Sequence, residues 1–260
     1  MKVEKLFIKN RKGEKVVVLK ETIEEQKGLA IVMHGLSGFK EQPHIRVFVN
    51  SFLENKYSVI TFDTTNTLGE SDGDLKEATT TNYYEDLEDV IEWAKKQDFY
   101  KEPFCLAGHS LGGLSVGLYA ENYPQKIKAV ASISPVVSGK IYLKYMEETG
   151  DIKDWKEKGY KEKISESNPG VKKIIKWGFM EDVQQYDLIE NADKLAMPVL
   201  IMVGELDTVT PVKHQEILFE KLPKQKKLCI IKGAPHTFRE NKHLQEIKKI
   251  MSEWIKQINS

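Results

Sequence analysis

Phe104-Cys105-Leu106-Ala107-Gly108-His109-Ser110-Leu111-Gly112-Gly113-Leu114 sets a short apolar run against a glycine-rich turn and the start of a helical pattern. Its centre, Gly108-His109-Ser110-Leu111-Gly112, matches G-x-S-x-G, in which a serine stands on a tight strand-to-helix turn with its hydroxyl clear of the backbone. The glycines have a steric task, because without Cβ atoms they permit the close backbone approach that such a turn demands. The pattern by itself recurs by chance, so its surroundings decide. Phe104 to Ala107 reads as a buried strand and Leu114 to Tyr123 carries helical periodicity, which supplies the strand, turn and helix the motif requires.

Outward from this turn the chain keeps the same rhythm. Leu29 to Met33, Tyr57 to Ile60, Ala129 to Ile133 and Val199 to Val203 are nearly continuous apolar runs, the signature of strands buried on both faces. Between them lie amphipathic stretches, notably Tyr83 to Lys96 with Leu87, Val90, Ile91 and Ala94 on one face, and a last one over His243 to Ile258. At the start, Val3 to Lys9 and Lys15 to Leu19 flank Asn10-Arg11-Lys12-Gly13, which reads as a hairpin turn. The expectation is an α/β fold: a mostly parallel sheet with helices on both faces and an antiparallel N-terminal hairpin. One segment, 136–185, breaks the rhythm. It is rich in Lys and Glu, shows no buried strand, and carries Tyr142, Tyr145, Trp155, Tyr160, Trp177 and Phe179, too many large apolar groups for a solvated linker. It is expected to be an inserted lid or cap on a core domain made of 1–135 and 186–260, with an ordinary helical subdomain as the alternative.

Composition bounds the function. With 40% hydrophobic and 30% charged residues the chain suits a globular fold, and 39 basic against 39 acidic residues leave no electrostatic footprint for nucleic acid or an anionic membrane surface. The start Met1-Lys2-Val3-Glu4-Lys5 has no signal-peptide pattern and no apolar run is long enough to span a bilayer, so a cytoplasmic location is expected. Cys105 and Cys229 sit in strand-like runs and read as small buried hydrophobes rather than a disulfide. The six histidines show no metal-ligand spacing and no phosphate-cradling glycine loop is present, so neither a metal nor a cofactor is expected.

A serine hydroxyl is a weak nucleophile unless a base takes its proton. His236, in Gly233-Ala234-Pro235-His236-Thr237-Phe238 directly after the apolar run Leu228 to Ile231, occupies a strand-end loop where such groups are presented. His214 reads instead as an exposed helix position. The acid that orients the base should lie between serine and histidine, and Asp207 follows the strongest strand in the chain; Glu205 is its competitor, with a loop salt bridge as the plainer role. Asp182, Asp187 and Asp193 precede that strand and read as caps. An oxyanion would be met by the N–H of Leu111, after the nucleophile, and by an N–H of the early loop His34-Gly35-Leu36-Ser37-Gly38, with Leu36 the first candidate, Ser37 the second and His34 structural.

Taken together, His34-Gly35, Gly69-Glu70-Ser71-Asp72-Gly73, the Ser110 turn, Asp207 and His236 resemble the α/β-hydrolase superfamily over nearly the whole chain. The layout is similar to small bacterial esterases of the feruloyl or cinnamoyl type. That resemblance implies hydrolysis of small carboxylic esters without a cofactor, with a lid between the two halves of the sheet. Asp63-Thr64-Thr65-Asn66-Thr67-Leu68-Gly69-Glu70-Ser71 departs from the arginine- and histidine-containing version of this loop, which bears on ester specificity. Trp155 and Trp177 are the expected substrate contacts, or else anchors of the lid. A dehalogenase is excluded by Ser110, and a prolyl-peptidase-like enzyme is set aside because it would bring a large further domain. An amidase or peptidase of the same fold, and a catalytically silent small-molecule receptor, are the alternatives.

Overall fold

The computed structural model describes residues 1–150, 152–164, 170–223 and 225–259. β1 (Lys2–Lys9) and β2 (Lys15–Thr22) form the expected antiparallel hairpin. β3 (Gly28–Met33) then enters the sheet as a fully buried strand. Its alternation divides the molecule: Leu29, Ile31 and Met33 point into one apolar layer, Ala30 and Val32 into the other. α1 (Pro43–Glu54) covers the second layer with Ile45, Phe48, Val49 and Phe52, at helical spacing behind a proline at its first turn. This helix is an addition to the elements expected from the sequence.

β4 (Tyr57–Asp63) leads to α2 (Thr80–Ala94), whose first turn is capped by the Thr79 hydroxyl accepting from the Asn82 N–H at 3.0 Å. α2 packs Tyr83, Leu87, Val90 and Ile91 into the first layer. β5 (Phe104–His109) ends at the turn that opens α3 (Leu111–Asn122), and β6 (Ile127–Ile133) follows. α3 starts three residues earlier than its periodicity indicates. Gly112 and Gly113 lack the apolar signature that marks a helix in sequence, although both lie in it.

The segment after β6 contains α4 (Gly139–Glu148), α5 (Lys153–Lys158), β7 (Tyr160–Ile164), β8 (Lys172–Lys176) and α6 (Gly178–Val183). β7 and β8 pair antiparallel in a sheet of their own, apart from the main one. Asp151 and residues 165–169 of the expected 136–185 insertion lie outside the described residues. The main sheet resumes with β9 (Val199–Gly204), then α7 (Val212–Lys221), β10 (Lys226–Ile231) and α8 (Asn241–Gln257).

The eight-stranded order is β1-β2-β4-β3-β5-β6-β9-β10, parallel throughout except where β2 meets β1 and β4. α2 and α3 lie in the first layer while α1 and α8, the latter through Ile247, Met251, Trp254 and Ile255, close the second. Each fully buried Ile, Leu, Phe or Met side chain contributes about 1.5–3 kcal/mol. Because both faces are covered, the carboxyl ends of the parallel strands, with their loops, are where a site can open. Among the described residues no helix is long and apolar enough to cross a membrane.

Candidate active site

Ser110 sits between β5 and α3 with φ 54° and ψ −116°, a left-handed region that few residues other than glycine enter. Two surroundings hold it there. Its N–H donates to the Ile133 carbonyl at 2.8 Å, tying the turn to β6, and its carbonyl accepts from the Leu114 N–H at 3.1 Å, starting α3. Gly108 is required because a Cβ there would come within 2.3 Å of the Gly112 carbonyl oxygen. The hydroxyl therefore leaves the sheet at the head of a helix, in a residue only 8% exposed.

His236 and Asp207 converge on it from two later loops. Ser110 Oγ lies 2.9 Å from His236 Nε2, and His236 Nδ1 lies 2.8 Å from Asp207 Oδ2. Asp207 Oδ1 accepts from the N–H groups of Val209 at 2.9 Å and Thr210 at 2.8 Å, and the Thr210 hydroxyl lies 3.1 Å from Oδ2. Burial opposes ionisation of Asp207, but the hydrogen bond and charge of His236 together with those two backbone donors outweigh it, and the carboxyl stays below its ordinary range. A neutral imidazole placed this way has Nδ1 protonated and Nε2 open toward Ser110.

The other candidates lie elsewhere. Glu205 accepts from the Gly233 N–H at 2.8 Å and so braces the loop before His236 without touching its ring. Asp182 accepts from the N–H and hydroxyl of Thr81, and Asp187 from the N–H of Ile189. His214 is half-buried, its ring against Tyr145 at 5.2 Å, rather than exposed on α7. His34 is fully buried and braces two loops: Nδ1 lies 2.8 Å from the Gly35 carbonyl and Nε2 accepts from the Thr64 N–H at 3.1 Å. Cys105 and Cys229 are free thiols, and burial pushes Cys105 up to about 12. Among the described residues no group of three or more His, Cys, Asp or Glu side chains is placed to hold a metal ion.

The loop after β3 reaches the serine because residue 35 is glycine: a Cβ there would stand 2.9 Å from Ser110 Cβ. Leu36 and Ser110 line the same recess. Leu111, as the first residue of α3, has an N–H with no carbonyl behind it in the helix. The far end of the loop is fixed by Asp63, a fully buried carboxylate at the end of β4. It accepts from the Lys40 N–H and ammonium, each at 2.8 Å, and from the Glu70 N–H at 2.9 Å. Lys40 is 1% exposed; burial works against its charge, yet Asp63 and Glu70 more than compensate and hold its ammonium above the ordinary lysine value.

Two residues next to the serine are not among the sequence candidates. His109, the variable position of the turn, sits with Nε2 3.0 Å from the His236 carbonyl oxygen; burial, helped by the His236 charge, pushes it down to about 3, so it is a neutral donor that holds the His236 loop. His44, in the first turn of α1, packs against the His109 ring with centroids 4.5 Å apart. The motif marked His109 only as a free position, and His44 belongs to the helix the sequence pattern left unread.

Trp155 is 4% exposed, stacked on Phe179 at 6.3 Å and meeting Trp177 edge-on at 6.0 Å. This aromatic group joins the first layer, and neither tryptophan borders the recess beside Ser110. Among the described residues of 136–185, Lys173 of β8 does. The segment is fastened on both sides of the site: Asp182 to Thr81 at the start of α2, and the Tyr145 hydroxyl donating to the Thr208 carbonyl at 3.1 Å beside Asp207.

Comparison with known proteins agrees with this architecture. Est1E from Butyrivibrio proteoclasticus, solved with ferulic acid bound, is 25% identical, with 97% of this chain and 98% of that one aligned at a TM-score of 0.79. A putative hydrolase from Agrobacterium vitis S4 aligns over 98% of this chain and all of its own at a TM-score of 0.80 and 18% identity. An uncharacterized 31.7 kDa Escherichia coli protein from the traX-finO intergenic region is 26% identical over 88% of this chain and 90% of its own. The fold is that of the α/β-hydrolases. The profile of the prolyl oligopeptidase family matches residues 62–260. The setting aside of a prolyl-peptidase-like chain, made because it would bring a large further domain, is corrected by that match. The chain belongs to the prolyl oligopeptidase family, an α/β-hydrolase family of serine hydrolases.

Proposed function

We propose that the protein hydrolyses small carboxylic esters through an acyl-enzyme on Ser110, with His236 as general base and Asp207 as the acid that orients it. The observation that carries this reading is the unbroken chain Asp207–His236–Ser110, with links of 2.8 and 2.9 Å, ending on a serine at positive φ. His236 takes the Ser110 proton as Oγ attacks the carbonyl carbon, and the imidazolium that forms is stabilised by Asp207. The oxyanion is met by the Leu111 and Leu36 N–H groups. His236 then gives its proton to the departing alkoxide. In the second half it deprotonates a water that attacks the acyl carbon, and Ser110 regains its proton as the acid leaves. No metal or cofactor enters any step.

In the same reading 1–135 and 186–260 form the core and 136–185 is a lid that sets substrate choice. Its contribution at the recess is Lys173, while Trp155 and Trp177 act by holding the β7–β8 hairpin that carries it. The ferulic acid bound to Est1E favours small ester substrates. Fluorophosphonate labelling at Ser110, lost in Ser110→Ala, together with turnover of a panel of acyl and aryl esters, tests the proposal; an unlabelled folded protein refutes it and leaves the silent-receptor reading. The family match favours a second reading, cleavage of a prolyl amide. Matched ester and prolyl-anilide substrates decide between them, since an amidase turns over the anilide at a rate within reach of the ester.

A further inference from the structure

Behind the pair Asp207–His236 lies a buried hydroxyl that the proposed reaction leaves without a task. Thr210 is 1% exposed, and its Oγ1 lies 3.1 Å from Asp207 Oδ2, 3.3 Å from His236 Nδ1 and 3.0 Å from the Ser134 carbonyl oxygen. A hydroxyl has one proton and two lone pairs. The carbonyl and the ionised carboxylate only accept, so the proton is shared between them, and a lone pair is left for the Nδ1–H of His236. One group thus touches both members of the pair.

The fold is built to hold it there. Ser134, directly after β6, is fully buried with φ 45°, a left-handed conformation that serine adopts at a cost. Its own hydroxyl has no partner among the described residues, so what this backbone supplies is the carbonyl that faces Thr210. Gln215 of α7, also fully buried, donates through Nε2 to the Pro135 carbonyl at 3.0 Å and to the Thr210 carbonyl at 3.2 Å, which fastens both ends of the same link.

The backbone donors to Asp207, the N–H groups of Val209 and Thr210, belong to its own loop and move with it. The Thr210 hydroxyl reaches another strand. That strand is β6, whose last residue, Ile133, accepts the N–H of Ser110 at 2.8 Å. Two consecutive carbonyls, Ile133 and Ser134, therefore anchor the serine and the acid to one point of the sheet.

We infer that Thr210 is a positioning residue of the hydrolytic site, whose hydroxyl locks Asp207 and His236 to the end of β6 beside Ser110. It acts on turnover through that pair and not through the substrate. The inference rests on the Ser110–His236–Asp207 reading.

The test is Thr210→Val, which replaces the hydroxyl by a methyl of similar size, with Thr210→Ser to return the hydroxyl. With p-nitrophenyl acetate as the probe ester, Thr210→Val should lower kcat about tenfold and change KM less than about twofold, and Thr210→Ser should recover most of the loss. In an Asp207→Asn background the same Thr210→Val change should cost less than about twofold, because the partner through which it acts is already lost. Should Thr210→Val not fold, Thr210→Cys, which keeps a weaker donor at the same place, is read by the same comparisons. An unchanged kcat in a variant with a wild-type melting curve overturns the inference. So does a loss carried in KM, one that persists undiminished in the Asp207→Asn background, or one that Thr210→Ser leaves unrepaired. Absence of fluorophosphonate labelling and of ester turnover in the unaltered protein refutes the serine-hydrolase reading instead.

Discussion

The turn around Ser110 and the β7–β8 hairpin stand on either side of the same recess, yet they are built in opposite ways. Every residue from Phe104 to Val116 is buried, and the turn is held by backbone hydrogen bonds to β6 and by glycine contacts with no room for another atom. In the hairpin the strands are mostly exposed and charged, with Lys172 paired to Glu162 at 2.9 Å in solvent, and among the described residues a single half-buried lysine, Lys173, reaches the recess. Placing a nucleophile to within a few tenths of an ångström demands over-determined packing, whereas placing a charge at a rim demands only a hairpin anchored at its base. The first kind of region leaves a strict signature in sequence and the second leaves almost none.

The sharpest way to break this contrast is to cut the hydrogen-bonded chain. Ser110→Ala should fold normally and lower ester turnover at least about a thousandfold, with Asp207→Asn within about tenfold of it and the double variant far from additive, as steady-state kinetics and matched melting curves would record. A near-neutral Asp207→Asn beside a crippled Glu205→Gln would reassign the acid. Next comes Gly35→Ala, whose methyl must push the loop off Ser110. A loss of about tenfold to a hundredfold in kcat, with KM less affected, is expected if that loop supplies an oxyanion donor.

On the hairpin side the effects should be thermodynamic before they are catalytic. Trp155→Ala removes the buried ring between Phe179 and Trp177 and should cost about 3 kcal/mol in chemical denaturation, while fluorophosphonate labelling of Ser110 persists. Loss of labelling together with stability would mean that the two regions are one unit.

The smallest effect probes the far end of α3. Glu121 is 5% exposed with Oε1 unpartnered among the described residues, and burial pushes it up to about 8, with Asp187 and Asp193 adding to the rise and Lys194 opposing it. Its folded value lies above its unfolded one, so its contribution is complete in acid and is lost as pH rises through about 8. Glu121→Gln should therefore melt a few degrees higher than the wild type at alkaline pH and lose that advantage near pH 5. An unchanged difference across that range would show that Glu121 is ionised in the folded protein.

The same contrast explains what could be read beforehand. The parallel strands were legible because burial on both faces leaves unbroken apolar runs, and Ser110, Asp207 and His236 because each follows such a run. α1 went unread although Ile45, Phe48, Val49 and Phe52 carry its period, since polar residues interrupt the stretch and no cap announces it. The β7–β8 hairpin has no apolar alternation, being half solvated on both faces. Trp155 and Trp177 looked like a binding surface because sequence reports that a residue is large and apolar, but not which side of a segment it faces. Lys173, one of many lysines there, had nothing to distinguish it.

Asp63 joins two stretches of chain that also meet where Thr64 donates to His34 and Thr67 to the Gly38 carbonyl. One carboxylate accepts from Lys40, whose loop carries Leu36, and from Glu70, in the loop that departs from the expected pattern. The two loops are thus a single mechanical part, with its one fully buried ion pair at Asp63 and Lys40. Grafting either loop from a relative without the other strands half of an ion pair where water does not reach, a loss of several kcal/mol that no choice of residues at the loop tip can recover. Variation in this protein's loops has to move in pairs.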